Sequence, residues 1–379
     1  MFGLRRKFFS CFVYVSLIMF LAVLFLLLTM DRSSSNVVFD GPEMFNAYQV
    51  QQGDSDTHTK PMPIPKPDLR TPALLHSHLS FTPERPRFNC AKLIANDHNE
   101  MARAKAYLTS RHYNFTQRDD GMFKLLTQNC DTYKRLRGFP SKPLSEIETQ
   151  FPIAFNILLH KNVDQFERLL RTLYTPQNQY CIHVDKKAHP GVLQSVQSIA
   201  NCFDNVFVAS KLERVVYASY SRLQADINCM TDHVNRGKDW KYLINMASSE
   251  FPVQTNLQLV QILKIFNGAN DIHEVFSTMD AARFKQRYIT HVDDSDLGYI
   301  VNTNTLKEDP PHKLTVTKGN AYNVFSRKFV EFALRDEKAV DFLRWSIDTY
   351  TPDEHYWATL NNLYNNPFLK TPGGCKGKA

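Results

Sequence analysis

Acidic side chains at two places in this sequence have the types and spacing to do chemistry. The run Thr351-Pro352-Asp353-Glu354-His355-Tyr356-Trp357 offers Glu354, a carboxylate able to take a proton from a hydroxyl nucleophile. Asp294-Ser295-Asp296, following Ile289-Thr290-His291-Val292, has the two-carboxylate form that can hold a divalent cation. Both also have plain structural explanations. A proline followed by acids is an ordinary helix start, and an Asp-x-Asp triplet is an ordinary solvated turn. At a third place, Asp185 is followed by Lys186 and Lys187, neither of which can be a second carboxylate ligand. Its better role is to hydrogen-bond a nucleoside, as strand-end acids do with ribose hydroxyls.

Such groups need a scaffold. From Pro152 onward, short apolar runs alternate with amphipathic segments. IAFNILLH (153–160), YCIHVD (180–185), NVFVAS (205–210) and YLINMAS (242–248) read as strands. VDQFERLLRTLY (163–174), residues 191–200, residues 217–234 and NLQLVQILKIF (256–266) read as helices, with Asn162 as N-cap of the first. Residues 91–137 read as helical and charged, ending before Pro140. This rhythm predicts an α/β domain: a Rossmann-type, mostly parallel sheet flanked by helices. Ligands bind beyond the carboxyl ends of strands in such sheets, which singles out His160, Asp185, Ser210 and Ser248-Ser249-Glu250. No GxGxxG or GxxxxGK[ST] follows the strands, which argues against a Rossmann dehydrogenase or a P-loop NTPase. The phosphates of any bound nucleotide must be held by other means.

The rest of the chain sets the context. Arg5, Arg6 and Lys7 precede 23 uncharged residues, Phe8–Met30, long enough to cross roughly 30 Å of hydrocarbon as a helix. A cleaved signal peptide would have an apolar region of about 7–15 residues, so a retained anchor is the better reading. The basic residues keep positions 1–7 in the cytosol and send the remainder across, the topology of a type II membrane protein. Residues 31–88 hold eight of the 19 prolines with little apolar periodicity and read as an extended luminal stem, leaving 89–379 as the head. The net charge of +7 divides into +3 before the span, −1 in the stem and +5 over the head. That density is too low for a surface that tracks nucleic acid. Beyond Cys11 in the span there are six cysteines, with no CxxC spacing to suggest zinc, on the side where disulfides persist. Fifteen pairings are open to them. Asn114-Phe115-Thr116 is a glycosylation sequon on that side.

A stalked type II α/β head suits a Golgi glycosyltransferase using a nucleotide sugar, a topology shared with some proteases and sulfotransferases. A sugar-inverting transferase needs a carboxylate base and positive charge for the departing diphosphate, from a metal or from Lys and Arg. CIHVDKKA (181–188), NVFVASKLERVVYASYSRLQADINCM (205–230), WKYLINMASSEFPVQTNLQ (240–258), KGNAYNVFSRKFV (318–330) and DTYTPDEHYWATL (348–360) together are far more specific than any single motif. Over residues 88–375 the chain resembles the core 2 and I-branching β-1,6-N-acetylglucosaminyltransferases. The resemblance implies a GT-A-type fold, inversion at the sugar carbon, UDP-N-acetylglucosamine as donor, a glycan or glycoprotein acceptor, and no cofactor or metal. It places the general base on Glu354 and the donor contacts on Leu158, Leu159, His160, Asp185 and Tyr217. Of the acceptor-binding groups, Arg283 matches; the lysine position reads Asp280 and the acid position falls near Ile272 or Glu274. It implies disulfides Cys130–Cys202 and Cys181–Cys229. Cys90 would pair with a cysteine near the family's C-terminus, for which Cys375 could substitute. In the family a segment beyond the base supplies an arginine and a lysine to the diphosphate and an aromatic platform to the acceptor, and this resemblance ends before it, as in a truncated member. The first expectation is therefore O-glycan branching at a sugar 6-hydroxyl. The rivals are an impaired relative that acts by binding UDP or an active transferase, and a related xylosyltransferase.

Overall fold

The structure, a computed structural model, describes residues 88–109, 120–275, 281–292 and 298–374. The Phe8–Met30 span, the stem as far as residue 87, Asn114, Asp280, Asp294, Asp296 and Cys375 lie outside the described residues. No helix among the described residues is long and apolar enough to cross a membrane.

Strands β1 (Ile153–Leu159), β2 (Gln179–Val184), β3 (Val206–Val208), β4 (Tyr242–Ala247) and β9 (Val324–Ser326) form one sheet in the order β3-β2-β1-β4-β9. The first four are parallel and β9 runs antiparallel along β4. The helices placed around them are α1 (Cys130–Arg137), α2 (Val163–Leu173), α3 (Pro190–Ala200), α4 (Tyr220–Asn235), α5 (Asn256–Phe266), α6 (Arg327–Arg335), α7 (Glu337–Trp345) and α8 (Tyr356–Asn361). Two small antiparallel pairs, β5 (Glu274–Val275) with β8 (Lys318–Gly319) and β6 (Gln286–His291) with β7 (Tyr299–Leu306), were not legible as strands.

The alternation of side chains along a strand explains why the central strands are apolar throughout: both faces are covered. Ile153, Phe155, Ile157 and Leu159 of β1 enter one core with Phe166, Leu169 and Leu170 of α2 and Val196 and Ile199 of α3. Ala154 of β1 and Leu243 of β4 enter a second core with Leu223, Ile227 and Met230 of α4, Phe329 of α6, Phe342 of α7 and Trp357 of α8. The chain steps from β1 to β2 on one side and returns to β4 on the other. The carboxyl ends of β1 and β4 therefore frame a topological switch point, where α/β sheets bind ligands.

Local signals differ from the sequence reading in a few places. The described residues within 91–137 form several separate helices, and α1 ends at Gly138 in the left-handed region. Asn162 stands at the N-cap of α2 but at φ 65°, where its side chain makes no capping bond; Asp120 Oδ1 instead accepts from Val163 N–H at 2.8 Å. Helix α4 begins at Tyr220, capped by Ser219, so Tyr217 lies in the preceding loop. Two disulfides are formed: Cys130–Cys202 beside α1, and Cys181–Cys229, which joins β2 to α4. Cys90 is exposed and has no disulfide partner among the described residues.

Candidate active site

On the α4 side of the sheet, the end of β1 and the turns after β2 and β4 open into a cleft of about 650 Å³. Leu158, Leu159, His160, Asp185 and Tyr217 all line it. They contribute unequally. Leu158 stands opposite His183 in the strand register, on the cleft face. Leu159, one residue on, turns its side chain into the opposite core at 3% exposure, so it offers backbone and wall. The carbonyls of both are occupied: Leu158 O accepts from Ser248 N–H at 2.9 Å and Leu159 O from Asp185 N–H at 2.8 Å. Ser248 and Ser249 reach the cleft wall, whereas Ser210 turns away to bond Asp232. Glu250 folds back to accept from Ala247 N–H at 2.7 Å.

Among the described residues lining this cleft, Asp185 is the only acid. It accepts from Lys187 N–H at 3.0 Å, Lys187 Nζ at 2.6 Å and Val215 N–H at 3.3 Å. Lys187 also donates to Val215 O, which fixes its amine at the cleft wall. His183 Nε2 accepts from Glu213 N–H at 2.8 Å, and burial lowers the pKa of this ring. His160 at the mouth is also lowered, by partial burial first and Lys161 second. Tyr217 is 86% exposed, an open aromatic surface on the rim.

Glu354 sits in a single 3-10 turn, Pro352–Glu354, rather than in a full helix. Thr351 enters that turn at φ +46°, a left-handed conformation unusual for a branched residue, and its N–H donates to Ala218 O at 2.7 Å. The bond ties the turn to the loop bearing Tyr217. Arg283 Nη1 donates to Glu354 Oε2 at 2.8 Å and to Thr351 Oγ1 at 3.2 Å, with its guanidinium over the Tyr350 ring. Glu354 is 35% exposed at the side chain, and its Oε1 has no hydrogen-bond partner among the described residues. Arg283 and Glu354, far apart in sequence, are thus one unit.

Glu274 is not part of that unit. Its Oε1 accepts from Asn361 Nδ2 at 3.4 Å, and burial pushes its carboxyl up to about 7. Ile272, the other position matched to the acceptor-binding acid, is 3% exposed in the second core and can offer a ligand nothing polar.

A polar floor beneath the cleft was missed. Asn156 and Asn245 stand opposite one another in mid-strand, and both donate to Asp226 of α4, Asn245 at 2.9 Å. Asp226 in turn pairs with Arg222 Nη1 at 2.6 Å. Arg222 lines the cleft, with its guanidinium over the Tyr322 ring at 5.2 Å. The available signals were the i,i+4 acid–base pair on α4 and an asparagine inside each of two apolar strands.

A mostly parallel α/β sheet with a cleft at its switch point and a carboxylate–arginine unit on a neighbouring turn defines a class, and the comparisons with known proteins name it. The family model described as Core-2/I-Branching enzyme matches residues 153–376, and the chain belongs to that family of enzymes. It is 40% identical over 296 residues to the human protein named beta-1,3-galactosyl-O-glycosyl-glycoprotein beta-1,6-N-acetylglucosaminyltransferase, covering 76% of this chain and 68% of that one. It is 41% identical over 290 residues to the rat protein named beta-1,3-galactosyl-O-glycosyl-glycoprotein beta-1,6-N-acetylglucosaminyltransferase 3, covering 76% of this chain and 64% of that one. The matched region thus spans about two thirds of the length of these relatives. Among solved structures, a 4-diphosphocytidyl-2C-methyl-D-erythritol synthase from Anaerococcus prevotii DSM 20548 aligns at a TM-score of 0.25 and 12% identity, over 54% of this chain and 87% of that one. So loose an overlap says nothing about function.

Proposed function

We propose that this protein moves N-acetylglucosamine from UDP-N-acetylglucosamine to the 6-hydroxyl of a β-1,3-galactosyl O-glycan, inverting the sugar carbon. The acceptor oxygen attacks the anomeric carbon as the bond to UDP breaks; UDP leaves with the electron pair and the hydroxyl proton passes to Glu354. Arg283 engages one oxygen of Glu354 and leaves the other toward the incoming hydroxyl. Asp185, Tyr217, His160 and the β1 end hold the donor, and Arg283 also helps to place the acceptor. Lys161, Lys187 and Arg222 line the cleft, and their positive charge would favour the departing diphosphate. The proposed reaction uses no metal or cofactor, as the family resemblance implies. The uncharged Phe8–Met30 stretch behind three basic residues supports a type II Golgi membrane protein with its head in the lumen.

The observation that carries this reading is the Arg283–Glu354 unit on a turn tied to the Tyr217 loop. In Glu354→Gln, transfer from UDP-N-acetylglucosamine is expected to vanish while UDP binding is retained, with EDTA present throughout. Transfer at the parental rate would remove Glu354 from the role of base. Absent turnover in the parent, with UDP still bound, would point to the binding-only rival; preference for UDP-xylose would point to the xylosyltransferase.

A further inference from the structure

Asp348 lies six positions before the proposed base and has no place in the chemistry above. Both of its carboxylate oxygens are nevertheless held: Arg287 Nη1 donates to Oδ2 at 2.6 Å, and Lys307 Nζ donates to Oδ1. Both cations come from the β6–β7 hairpin, Arg287 from β6 and Lys307 from the residue after β7. The Lys307 side chain is 3% exposed, and its ammonium lies 4.7 Å from the ring of Trp345 at the end of α7. Arg287 Nη2 donates to Glu308, whose backbone oxygen accepts from Trp345 Nε1 at 2.9 Å. The two cations and two carboxylates of this knot cancel in charge, but removing Asp348 leaves the buried Lys307 ammonium without its counter-ion.

The start of the same hairpin carries Arg283, in the short helix Ala282–Lys285 that leads into β6. Arg283 and Arg287, four positions apart, reach two carboxylates of one strap, residues 346–355 between α7 and α8: Arg283 meets Glu354 and Arg287 meets Asp348. Between these contacts Tyr350 N–H donates to Arg283 O at 2.8 Å. The Tyr350 ring lies 5.4 Å from the Tyr288 ring and 5.4 Å from the Arg283 guanidinium. Lys307 N–H donates to Lys285 O at 3.0 Å, which ties the end of β7 back to that short helix. The strap is therefore clasped to the hairpin at two points of different character. At Asp348 both oxygens are engaged, whereas at Glu354 one is engaged and the other has no hydrogen-bond partner among the described residues.

We propose that Asp348 is a positioning residue: closed between Arg287 and Lys307, it sets the register of the strap against the hairpin so that Arg283 meets Glu354 through a single oxygen. This rests on the reading of Glu354 as the base. Without the Asp348 contacts the strap is free to shift along the hairpin, and Arg283 can then take both oxygens of Glu354, the fork geometry that arginine favours on a carboxylate. A base capped in that way has no oxygen left for the incoming hydroxyl. A base displaced by about 1 Å loses roughly a hundredfold in rate. The proposed donor contacts stand on other elements, the end of β1, Asp185 and the Tyr217 loop, so donor affinity is expected to survive.

The test is kcat per UDP-binding site and donor KM with UDP-N-acetylglucosamine for the full chain, with Tm read on the same preparations, in Asp348→Asn, Lys307→Met/Asp348→Asn and Glu354→Gln. In Asp348→Asn kcat is expected to fall about ten- to hundredfold with donor KM and UDP affinity within about twofold, and Tm to fall because Lys307 is stranded. The double variant removes the stranded charge, so its Tm is expected to return toward the parent while kcat stays at least about tenfold down. If Asp348 serves only the stability of the fold, kcat recovers together with Tm. Parental kcat in Asp348→Asn, a loss that appears in donor KM rather than kcat, or recovery of kcat in the double variant overturns the inference. Should the single variant not fold, the double variant decides alone. Glu354→Gln keeps the two readings apart: if it is inactive while Asp348→Asn behaves as the parent, only the positioning role fails. If Glu354→Gln is active, the base assignment fails first and this inference with it.

Discussion

The Arg137–Glu167 pair allows a stability prediction that can be worked from the structure. Both side chains are wholly buried between α1 and α2, on the face of the sheet away from the cleft. Arg137 Nε donates to Glu167 Oε1 at 2.7 Å, Nη2 donates to Oε2, and the Tyr133 hydroxyl donates to Oε1 at 3.3 Å. In Arg137→Met the hydrophobic bulk is kept, but Glu167 remains buried with only the Tyr133 bond of these three. Breaking a buried pair from one side costs about 3–5 kcal/mol. At about 2–4 °C per kcal/mol for a domain of this size, Tm should fall by roughly 6–20 °C. The double variant Arg137→Met/Glu167→Leu removes both charges and is expected to unfold at or above the parental Tm. Thermal unfolding followed by circular dichroism reads both values, and donor KM should be unchanged in each. A single variant within about 2 °C of the parent would refute the claim that the pair is fully desolvated. A double variant as unstable as the single would show that lost packing, not a stranded charge, is the cause.

Two further outcomes follow from the same geometry. Asp185→Asn keeps the size of the side chain but removes the charge that holds Lys187, at a typical cost of about 1.5–3 kcal/mol for bonds to a charged group. Donor KM should therefore rise about ten- to hundredfold with a smaller change in kcat, and an unchanged KM would remove Asp185 from the donor site. The pH dependence of stability has opposing parts. His233 and His355 are buried and lowered to about 3, so below the unfolded value near 6.5 only the unfolded chain takes their protons. Each then destabilises the fold by about 1.4 kcal/mol per pH unit as pH falls toward 3. Asp353 and Glu274, raised to about 6 and about 7, bind protons more readily when folded, so their contribution strengthens as pH falls from about 7 to about 4. Urea midpoints should be nearly flat from about pH 6 to 4.5 and drop steeply below about 4; a steep loss beginning at 6.5 would contradict the balance.

Much of the scaffold was legible because its signals are local. The apolar runs at β1, β2 and β4 and the helix 256–266 stand where their periodicity put them, since strands buried on both faces admit few polar residues. The switch-point rule then placed Asp185 and His160 at a cleft without side-chain coordinates. It failed for Ser210, because the chain beyond β3 bends toward Asp232 on α4. Resemblance gave Leu159 and Leu158 equal standing, yet the two-residue period of a strand turns only Leu158 to the cleft face.

By itself the sequence determined the class: an α/β head whose motifs belong to the Core-2/I-Branching enzymes, with the resemblance pointing to Glu354 as the proposed base. Those features are written in contiguous runs, where composition and spacing suffice. Tertiary structure alone decided what each acid faces. Asp353 and Glu354 are chain neighbours, yet one is buried and the other is half-exposed and paired with Arg283, seventy-one positions away. The polar floor of Asn156, Asn245, Asp226 and Arg222 is likewise assembled from two strands and a helix. Burial and the charge opposite are what tune an ionisable group, and both are set by residues distant in the chain.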